Sequence, residues 1–537
     1  MEAENPPNTR FAELAILFAA RNHAAKTPGK PAVIDVKAGR AFKYFELLAG
    51  AAKVQRILVN ALSVGGDLQE QRIAYLVPSG AVYVQIQWGI WATGGVAVPL
   101  CTTHPFHELE YAIADSKPSL VFLHRDFAHH KSAISSTFPL IQVLIVPESL
   151  LDDNVVLPAA IAPLNIDPSR RALIIYTSGT TSKPKGCVST HANIAFQATS
   201  LINAWKYSPS DHIIHVLPLH HIHGIINGLT ATLIAGGTVE MHPKFDASVV
   251  WKRWAAGNST MFMAVPTVYS RLNAHFTQHI AGTDDESKAI EGAQRLRLVV
   301  SGSAALPMSV KTRFREITGQ VLLERYGMSE IGMGMSCLYD NADGEGRPDG
   351  SVGWPLDGVR VRLVAENGEV IQDGSQTEGE IQIKGPNVFK EYWEKPEATA
   401  REFTEDGFFK TGDIAYRRDD GAYFVRGRSS VDIIKSGGYK VSALDVEREI
   451  LSNIPDVKEV AVVGIPDDEW GEKVAAVLTM EAGKEELELK AFRDMLRSHL
   501  APYKIPTLLA IIPRIERNAM GKVNKKQLAK DVWPSSA

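Results

Sequence analysis

The sequence predicts an α/β protein with a large N-terminal domain of two helix-covered, mostly parallel sheets plus a small β-barrel, and a small α+β C-terminal domain. Its length of 537 residues is too great for a single hydrophobic core, which indicates two or more domains. Helical patterns alternate with short β-branched runs from about residue 10 to about residue 315, an alternation typical of parallel sheets covered by helices. From about residue 350 apolar and polar residues alternate with period two, which favours half-exposed strands of a small antiparallel barrel.

Particular stretches of the sequence are expected to form these sheets and domains. The parallel sheets are expected to include the apolar runs at residues 72–77, 120–123 and 173–176. The barrel is expected to include residues 359–364 and 380–384, and the last section a strand at 457–464 and a helix at 487–500. We place the domain boundary near Ser429 and Ser430, dividing residues 1–429 from residues 430–537.

Composition and charge exclude several classes of function. Lys and Arg total 57 against 61 Asp and Glu, so the net charge of −4 attracts neither nucleic acid nor an anionic membrane, and any anion site must be local. No stretch resembles a membrane span. Cys101, Cys187 and Cys337 are too far apart for a disulfide framework, which indicates a reducing compartment. We expect a cytoplasmic protein with mitochondrial location as the alternative, because the sequence shows neither a clear presequence nor a peroxisomal C-terminal tripeptide.

The most informative stretch is the loop that follows the apolar run 173–176. It combines small hydroxyl residues, glycines and lysines between Thr177 and Gly186. Free backbone N–H groups, hydroxyls and positive charge are the chemistry of a polyphosphate cradle. It is not a Walker A loop, because Lys185 follows a proline and precedes a glycine. The alternative is a solvated surface loop.

Four later motifs offer complementary chemistry, although each alone could be an ordinary turn or surface segment. Residues 325–330 supply an aromatic ring for adenine, a hydroxyl for phosphate and a carboxylate for Mg²⁺. A carboxylate in the turn at 410–413, followed by an arginine at 428, suits two vicinal ribose hydroxyls. Adjacent glycines at 437 and 438 let a backbone approach a guest closely. Residues 518–526 form a basic tail, for which the plain interpretation is a solvated surface.

In this order the five motifs resemble the adenylate-forming superfamily, which includes acyl-CoA synthetases, adenylation domains and luciferases. The resemblance implies ATP, CoA and Mg²⁺ as cofactors, small-molecule partners only, and a mobile C-terminal domain. It implies the following ATP and AMP contacts: Thr177, Ser178, Gly179, Thr180, Thr181, Lys185, Ser303, Ala304, Tyr326, Gly327, Ser329, Asp413 and Arg428.

The resemblance also implies roles in catalysis. Glu330 and Thr177 are expected at Mg²⁺, and Lys522 is expected to bridge the attacking carboxylate and the α-phosphate. Lys435, Gly437 and Gly438 are expected at the thioester step, after the C-terminal domain has rotated about a hinge near Ser430. Ser182 and Ser430 depart from the residues that the superfamily most often has there.

The acid is expected to lie near His221, Arg271, Ser303 and Met328. An arginine at the end of the pocket suits a second carboxylate, because burying an unpaired guanidinium is costly; the alternative is that Arg271 projects into solvent. Metal ligation by the three histidines of residues 217–224 is not favoured, because the superfamily has a substrate-gating loop there.

Three stretches narrow the resemblance further. Residues 299–307, 323–333 and 431–444 resemble malonyl-CoA synthetases, including the group called acyl-CoA synthetase family member 3. That likeness implies that Arg271 and Ser303 hold the distal carboxylate of malonate or methylmalonate. Trp354 departs from the pattern, and a larger or different di- or tricarboxylic acid is therefore a further alternative. The alternatives are a fatty or aryl acyl-CoA synthetase, an enzyme that loads a carrier protein, and a non-catalytic nucleotide-binding protein.

Overall fold

The computed structural model describes residues 14–150, 166–177, 184–340, 345–372, 377–437, 439–484, 487–517 and 522–534. Five residues with an expected role lie outside this part of the chain: Ser178, Gly179, Thr180, Thr181 and Gly438. Ser182 lies outside it as well.

The α-helices of the described residues are α1 (Ala15–Lys26), α2 (Tyr44–Leu62), α3 (Ala81–Ala92), α4 (Phe106–Ser116), α5 (Lys131–Thr137), α6 (His191–Ala204), α7 (Ala231–Ile234), α8 (Ala247–Ala255), α9 (Pro266–His279), α10 (Glu286–Gln294), α11 (Met308–Thr318), α12 (Pro396–Glu402), α13 (Ala443–Asn453), α14 (Leu489–Leu496) and α15 (Lys525–Val532). A π-helical segment, His223–Thr230, precedes α7.

The strands of the described residues are β1 (Pro31–Asp35), β2 (Arg40–Lys43), β3 (Arg72–Leu76), β4 (Val96–Pro99), β5 (Leu120–Leu123), β6 (Gln142–Ile145), β7 (Arg171–Tyr176), β8 (Gly186–Thr190), β9 (His212–His215), β10 (Thr238–Met241), β11 (Met261–Ala264), β12 (Leu298–Ser301), β13 (Leu323–Met328), β14 (Gly332–Ser336), β15 (Trp354–Pro355), β16 (Arg360–Val364), β17 (Gly379–Lys384), β18 (Glu391–Tyr392), β19 (Phe409–Arg417), β20 (Tyr423–Arg428), β21 (Ile433–Ser436), β22 (Tyr439–Ser442), β23 (Val457–Asp467), β24 (Gly471–Met480) and β25 (Leu508–Ile511).

Two large sheets form the N-terminal part of the described chain. One has the order β18-β8-β7-β4-β3-β5-β6, and the other has the order β15-β14-β13-β12-β11-β9-β10-β1-β2. Their centres are parallel, and antiparallel strands are added at the edges. Helix α3 is buried at every residue, as expected for a helix enclosed by other layers. The predicted α/β class with two mostly parallel sheets is confirmed.

The topology brings functional segments to one edge. Strands β11 and β12 are parallel neighbours, with Ala264 opposite Ser301 at their carboxyl ends. Helix α9 begins directly after β11, and Ser303 follows directly after β12. The carboxyl ends of parallel strands meet in a crevice that is the usual binding site in open α/β sheets.

Two smaller sheets complete the described chain. The section with period-two alternation is an antiparallel sheet of order β16-β17-β19-β20. The C-terminal sheet has the order β22-β21-β24-β23, with β25 beside β24, and a separate apolar core joins it to α13 and α14. Among the helices that the structure describes, none has the length and apolar content needed to cross a bilayer.

Candidate active site

The ends of the phosphate loop are held together by reciprocal hydrogen bonds. Strands β7 and β8 are antiparallel, with Tyr176 opposite Gly186. The Thr177 N–H donates to the Lys185 carbonyl at 2.9 Å, and the Lys185 N–H donates to Thr177 Oγ1 at 3.2 Å. The Lys185 ammonium lies 4.5 Å from the centre of the Tyr392 ring. The structure therefore positions Thr177 and Lys185 at the base of the predicted cradle.

Glu330 is a buried carboxylate at the start of the same region. Its side chain is 7% exposed, and Oε1 accepts a hydrogen bond from the Tyr392 hydroxyl at 2.9 Å. Burial raises the pKa of Glu330 above its usual value. A buried carboxylate suits Mg²⁺, which proteins commonly bind through one or two carboxylates together with substrate phosphates. Glu330 is thus a fitting metal ligand, with Thr177 the second predicted one.

The predicted nucleoside residues come together on two strands. Asp413 on β19 lies opposite Arg428 on β20. Asp413 Oδ1 accepts from Arg428 Nε at 3.1 Å, and Oδ2 accepts from the Tyr326 hydroxyl at 2.6 Å. Gly327 follows Tyr326 at a register shift, where a β-carbon would lie 2.1 Å from the Gly332 carbonyl oxygen. Only glycine fits there, so the strand bends directly after the ring expected at adenine.

Two other expected nucleotide contacts are placed without a decisive interaction. Ala304 is exposed in the turn after β12, and Ser329 is half-buried just before Glu330. Their positions fit the expected roles, which remain predictions.

Lys522 enters this region from the C-terminal part of the chain. Desolvation lowers the pKa of its ammonium, and the charge of Arg428 lowers it further, whereas the charge of Asp413 acts in the opposite direction. The charges of Arg325 and Glu330 also act on Lys522. The structure thus brings the predicted catalytic lysine to the residues expected at ribose and metal.

The acid pocket contains a serine in an unusual backbone conformation. Ser303 has φ +70°. Left-handed backbone is costly for residues other than glycine, and such strain clusters at functional sites. Ser303 Oγ lies 3.0 Å from Arg325 Nη2 and 3.4 Å from His223 Nδ1. A β-carbon at Gly302 would lie 2.6 Å from the Arg325 guanidinium, so glycine is needed beside this turn.

Arg325 is a buried cation with no carboxylate partner in the described chain. It is 4% exposed, and Nε has no hydrogen-bond partner among the described residues. Burial lowers the pKa of Arg325 to about 9. Arg428 shows the opposite behaviour, because the Asp413 carboxylate raises the pKa of its guanidinium. Leaving a buried guanidinium unpaired is costly, so the pocket is built to receive an anion.

The other three residues expected to contact the acid differ in how deeply they are buried. Arg271 lies in α9 with an exposed side chain, and it forms no ion pair with any residue that the structure describes. His221 Nε2 is buried with no partner in the described part of the chain, and burial lowers the pKa of this imidazole well below its usual value. Met328 is half-buried at the end of β13. The structure therefore puts His221 beside the site and Arg271 at the protein surface.

The segment predicted for the thioester step lies in the hairpin of β21 and β22. Lys435 and Gly437 are exposed, and Gly437 has φ +56° with its α-carbon against the Trp470 ring. Lys440 Nζ in the same hairpin lies 2.8 Å from Glu366 Oε1 in the antiparallel unit. In this arrangement Lys522 is at the site, whereas Lys435 and Gly437 face solvent.

The basic tail differs from its plain interpretation. Lys525 is only 9% exposed, and its ammonium lies 2.7 Å from Asp432 Oδ1 and 2.7 Å from Glu447 Oε1. The interpretation of Lys525 as a solvated residue is therefore wrong. These two ion pairs fix the start of α15, three residues after Lys522.

Sequence reasoning missed two residues of this site, Arg325 and Tyr392. Arg325 had a usable signal, because Glu324 and Arg325 are the two charged residues in the otherwise uncharged segment that forms strand β13. A charged residue in such a strand is buried only when it is paired or functional. Tyr392 had no such signal, since it reaches Glu330 only because β18 pairs with β8.

Comparison with known proteins gives matches over most of the chain. The AMP-binding enzyme family model matches residues 20–393, and the AMP-binding enzyme C-terminal domain model matches residues 446–522. A mouse (Mus musculus) protein named mitochondrial malonate–CoA ligase ACSF3 is 45% identical over 501 residues, covering 88% of this chain and 83% of the mouse protein.

Solved structures of known proteins also match most of the chain. ATP-bound MatB from Rhodopseudomonas palustris is 33% identical, with a TM-score of 0.84, and the match covers 97% of this chain and 99% of MatB. A malonyl-CoA ligase in a ternary product complex with methylmalonyl-CoA and AMP is 33% identical, with a TM-score of 0.65, and the match covers 93% of this chain and 99% of that one. The resemblance that the five motifs carried is thereby confirmed, and the chain belongs to the AMP-binding enzymes of the adenylate-forming superfamily.

Proposed function

We propose that this protein is an ATP-dependent acid–CoA ligase that activates a small dicarboxylic acid, malonate or methylmalonate. The observation that carries the proposal is Arg325, a buried guanidinium that contacts Ser303 and has no carboxylate partner among the described residues. A distal carboxylate would neutralise this charge and accept from Nε and from the Ser303 hydroxyl. The names of the mouse relative and of the ternary product complex support the same class of acid.

In the first half-reaction, the reacting carboxylate attacks the α-phosphorus of ATP and pyrophosphate leaves. Lys522 stabilises the charge that develops between the carboxylate and the α-phosphate. Asp413 accepts from the ribose hydroxyls, and Thr177 and Lys185 hold the β- and γ-phosphates. Mg²⁺ bound at Glu330 would neutralise phosphate charge. The two ends of the acid are thus held separately, which aligns the reacting end with the phosphorus.

In the second half-reaction, CoA displaces AMP from the acyl-adenylate. The CoA thiol reacts as the thiolate, and the acyl group passes to sulfur. We propose that residues 430–537 rotate about a hinge near Ser430, which removes Lys522 and brings in Lys435, Gly437 and Gly438. The ordinary use of element-terminal residues as hinges supports this location.

Arg271 is proposed as a second arginine for the distal carboxylate, at the mouth of the pocket. Helix α9 begins at the sheet edge that also carries Ser303, which supports this role. Because Arg271 is exposed, it should contribute less than Arg325. Arg271→Ala should therefore lower the use of malonate selectively, by a smaller factor than Arg325→Ala.

An acid panel tests the proposal directly. ATP–pyrophosphate exchange is measured with malonate, methylmalonate, octanoate and an aryl acid, and acyl-CoA and AMP are then quantified with free CoA. Malonate or methylmalonate should give the fastest exchange and should yield acyl-CoA. Equal or faster exchange with octanoate or the aryl acid would refute the dicarboxylate assignment. Exchange without acyl-CoA product would indicate transfer to a carrier protein, and no exchange with any acid would indicate a non-catalytic nucleotide-binding protein.

The compartment is part of the same proposal. The separated cysteines support a reducing environment, and Cys101, Cys187 and Cys337 are buried and free. The cytoplasm is the expectation from sequence, and the name of the mouse relative, which includes the word mitochondrial, supports mitochondria as the alternative. Fractionation of cells expressing the full chain with a C-terminal tag distinguishes the two.

A further inference from the structure

A cysteine and two histidines converge beside the acid pocket without having a role in the reaction. Candidate ligand atoms of Cys101, His104 and His220 all lie within 4.8 Å of one another. Cys101 and His104 follow β4 of one large sheet, and His220 lies in the loop after β9 of the other. The three side chains therefore meet where the two sheets face each other.

The surroundings of each side chain leave a metal-binding atom available. His104 Nδ1 is engaged by Glu108 Oε2 at 3.1 Å, which leaves Nε2 as the free ring nitrogen. His220 Nε2 is buried and has no hydrogen-bond partner within the described chain. Cys101 is 4% exposed, and its sulfur lies 3.2 Å from Thr103 Oγ1 and accepts from the backbone N–H groups of Thr103 and His104, which leaves further room on the sulfur for a metal. A buried imidazole nitrogen without a partner is costly unless a ligand satisfies it.

We propose that Cys101, His104 and His220 form a binding site for a thiophilic divalent cation, Zn²⁺, with water as the fourth ligand. One thiolate and two imidazoles are a set that selects Zn²⁺ over Mg²⁺, which prefers oxygen ligands. Glu108 then acts as the carboxylate that orients a metal-bound histidine. On binding, the Cys101 thiol loses its proton to solvent and its sulfur bonds the metal. This site is separate from the Mg²⁺ ligand Glu330.

Occupation of the site has a consequence for the acid pocket. The His220 ring packs against the His221 ring, with 4.0 Å between their centres. The same loop is anchored by the Tyr83 hydroxyl, which donates to the Leu219 carbonyl at 2.6 Å. A metal on His220 would restrain the loop that carries His221, so Zn²⁺ should slow turnover of the acid. Binding itself does not depend on which acid the enzyme uses.

Metal binding to the full chain, without nucleotide, tests the proposal. Co²⁺ should bind wild-type protein and give a thiolate-to-cobalt charge-transfer band, and added Zn²⁺ should displace the Co²⁺ and remove the band. Competition with a chromophoric chelator then gives the affinity of the site for Zn²⁺. Cys101→Ser should abolish the band. His104→Ala should weaken Zn²⁺ binding by more than the roughly 10- to 100-fold expected for Glu108→Gln, which removes the carboxylate that orients His104.

Matched controls exist for both ligand types. Cys337→Ser removes a buried cysteine elsewhere, and His107→Ala removes an exposed histidine three residues from His104. Both should retain wild-type Zn²⁺ affinity and the cobalt band. Absence of the band from the wild-type protein would overturn the proposal without reference to any variant. Equal Zn²⁺ affinity in wild type, Cys101→Ser and His104→Ala would overturn it as well.

A kinetic measurement tests the effect on the pocket. At equal buffered free Zn²⁺, acid-dependent exchange should slow in wild type and in His107→Ala but not in Cys101→Ser. Unchanged exchange in wild type, at Zn²⁺ concentrations that fill the site, would refute the restraint of the loop. A protein that binds Zn²⁺ but prefers octanoate would separate this inference from the dicarboxylate proposal.

Discussion

At the scale of the residue, the site depends on charges that the fold buries before any substrate binds. Lys522, Arg325 and Glu330 all have a pKa shifted towards the neutral form by burial. Burying each of these groups therefore lowers the stability of the free protein, and binding of an oppositely charged ligand offsets that loss. The nearby Arg428 differs from these three groups, because the protein itself supplies its oppositely charged partner, Asp413.

Lys522→Ala should separate the two half-reactions. Loss of one pre-organised charge should lower ATP–pyrophosphate exchange by about 100-fold or more. CoA-dependent consumption of chemically prepared acyl-adenylate should continue, because the proposed rotation removes Lys522 from the site for that step. Lys526→Ala, which alters an exposed neighbour, serves as the control. Equal loss of both half-reactions would contradict the assigned role.

The pH dependence of adenylation should report the lowered pKa of Lys522. The pKa of Lys522 in the folded protein lies below the usual 10.5. At a pH between these two pKa values the unfolded chain binds more protons than the folded protein, so the contribution of Lys522 to the free energy of unfolding rises with pH. The charged ammonium that adenylation needs is lost across the same window. The kcat/KM for ATP should thus decline with rising pH before pH reaches 10.5. Lys522→Arg should move that decline to higher pH, and an unmoved decline would assign it to another group.

At the scale of the element, the turn after β12 has a strained backbone at a residue that we propose binds the acid. Ser303 has φ +70°, and its hydroxyl contacts Arg325. Ser303→Ala removes the hydroxyl and keeps the strain, whereas Ser303→Gly removes both. Ser303→Gly should unfold at higher urea than Ser303→Ala, by about 1 kcal/mol in the free energy of unfolding. Both variants should lose malonate exchange to a similar degree, and a large difference in exchange would mean that strain itself serves recognition.

The sequence predicted the bounds of several strands well, but it predicted the burial of charged side chains poorly. The runs at 72–77, 120–123 and 457–464 became strands close to the predicted bounds, because β-branched runs between turns carry their own signal. The exposure of Arg271 and the burial of Lys525 could not be read in this way, whereas two adjacent charges in an otherwise uncharged strand were a signal for the burial of Arg325. Burial of a charged side chain depends on partners distant in sequence, as when Asp432 and Glu447 enclose Lys525. The motif order predicted the family, while the pocket that selects the acid needed the tertiary structure.

At the scale of the whole molecule, the position of Lys522 fits the proposed adenylation step. Lys522 lies beside Arg428 and Asp413, and the Lys440–Glu366 ion pair joins the C-terminal sheet to the antiparallel unit. An ion pair this exposed is weak, so it marks the arrangement without locking it. The proposed rotation must break this pair.

A chemical cross-link between the two positions tests the rotation. Glu366→Cys and Lys440→Cys, joined by a short bis-maleimide, should hold the adenylating arrangement, because the free cysteines of the wild-type chain are buried. Exchange should continue, whereas formation of acyl-CoA should stop. Each single-cysteine variant treated with the reagent should retain both activities. Undiminished acyl-CoA formation by the cross-linked enzyme would contradict the rotation.

The central claim is that a buried guanidinium selects an acid with a second carboxylate. It is tested most directly by kcat/KM for malonate relative to butyrate, a monoacid of similar size, in wild type, Arg271→Gln and Arg325→Gln. Loss of a buried charge pair costs about 2–5 kcal/mol, so Arg325→Gln should lower this ratio by roughly 30-fold or more while butyrate is used at a similar rate. Arg271→Gln should lower it less. A ratio that is unchanged in Arg325→Gln, or a wild-type enzyme that prefers butyrate, would contradict the claim.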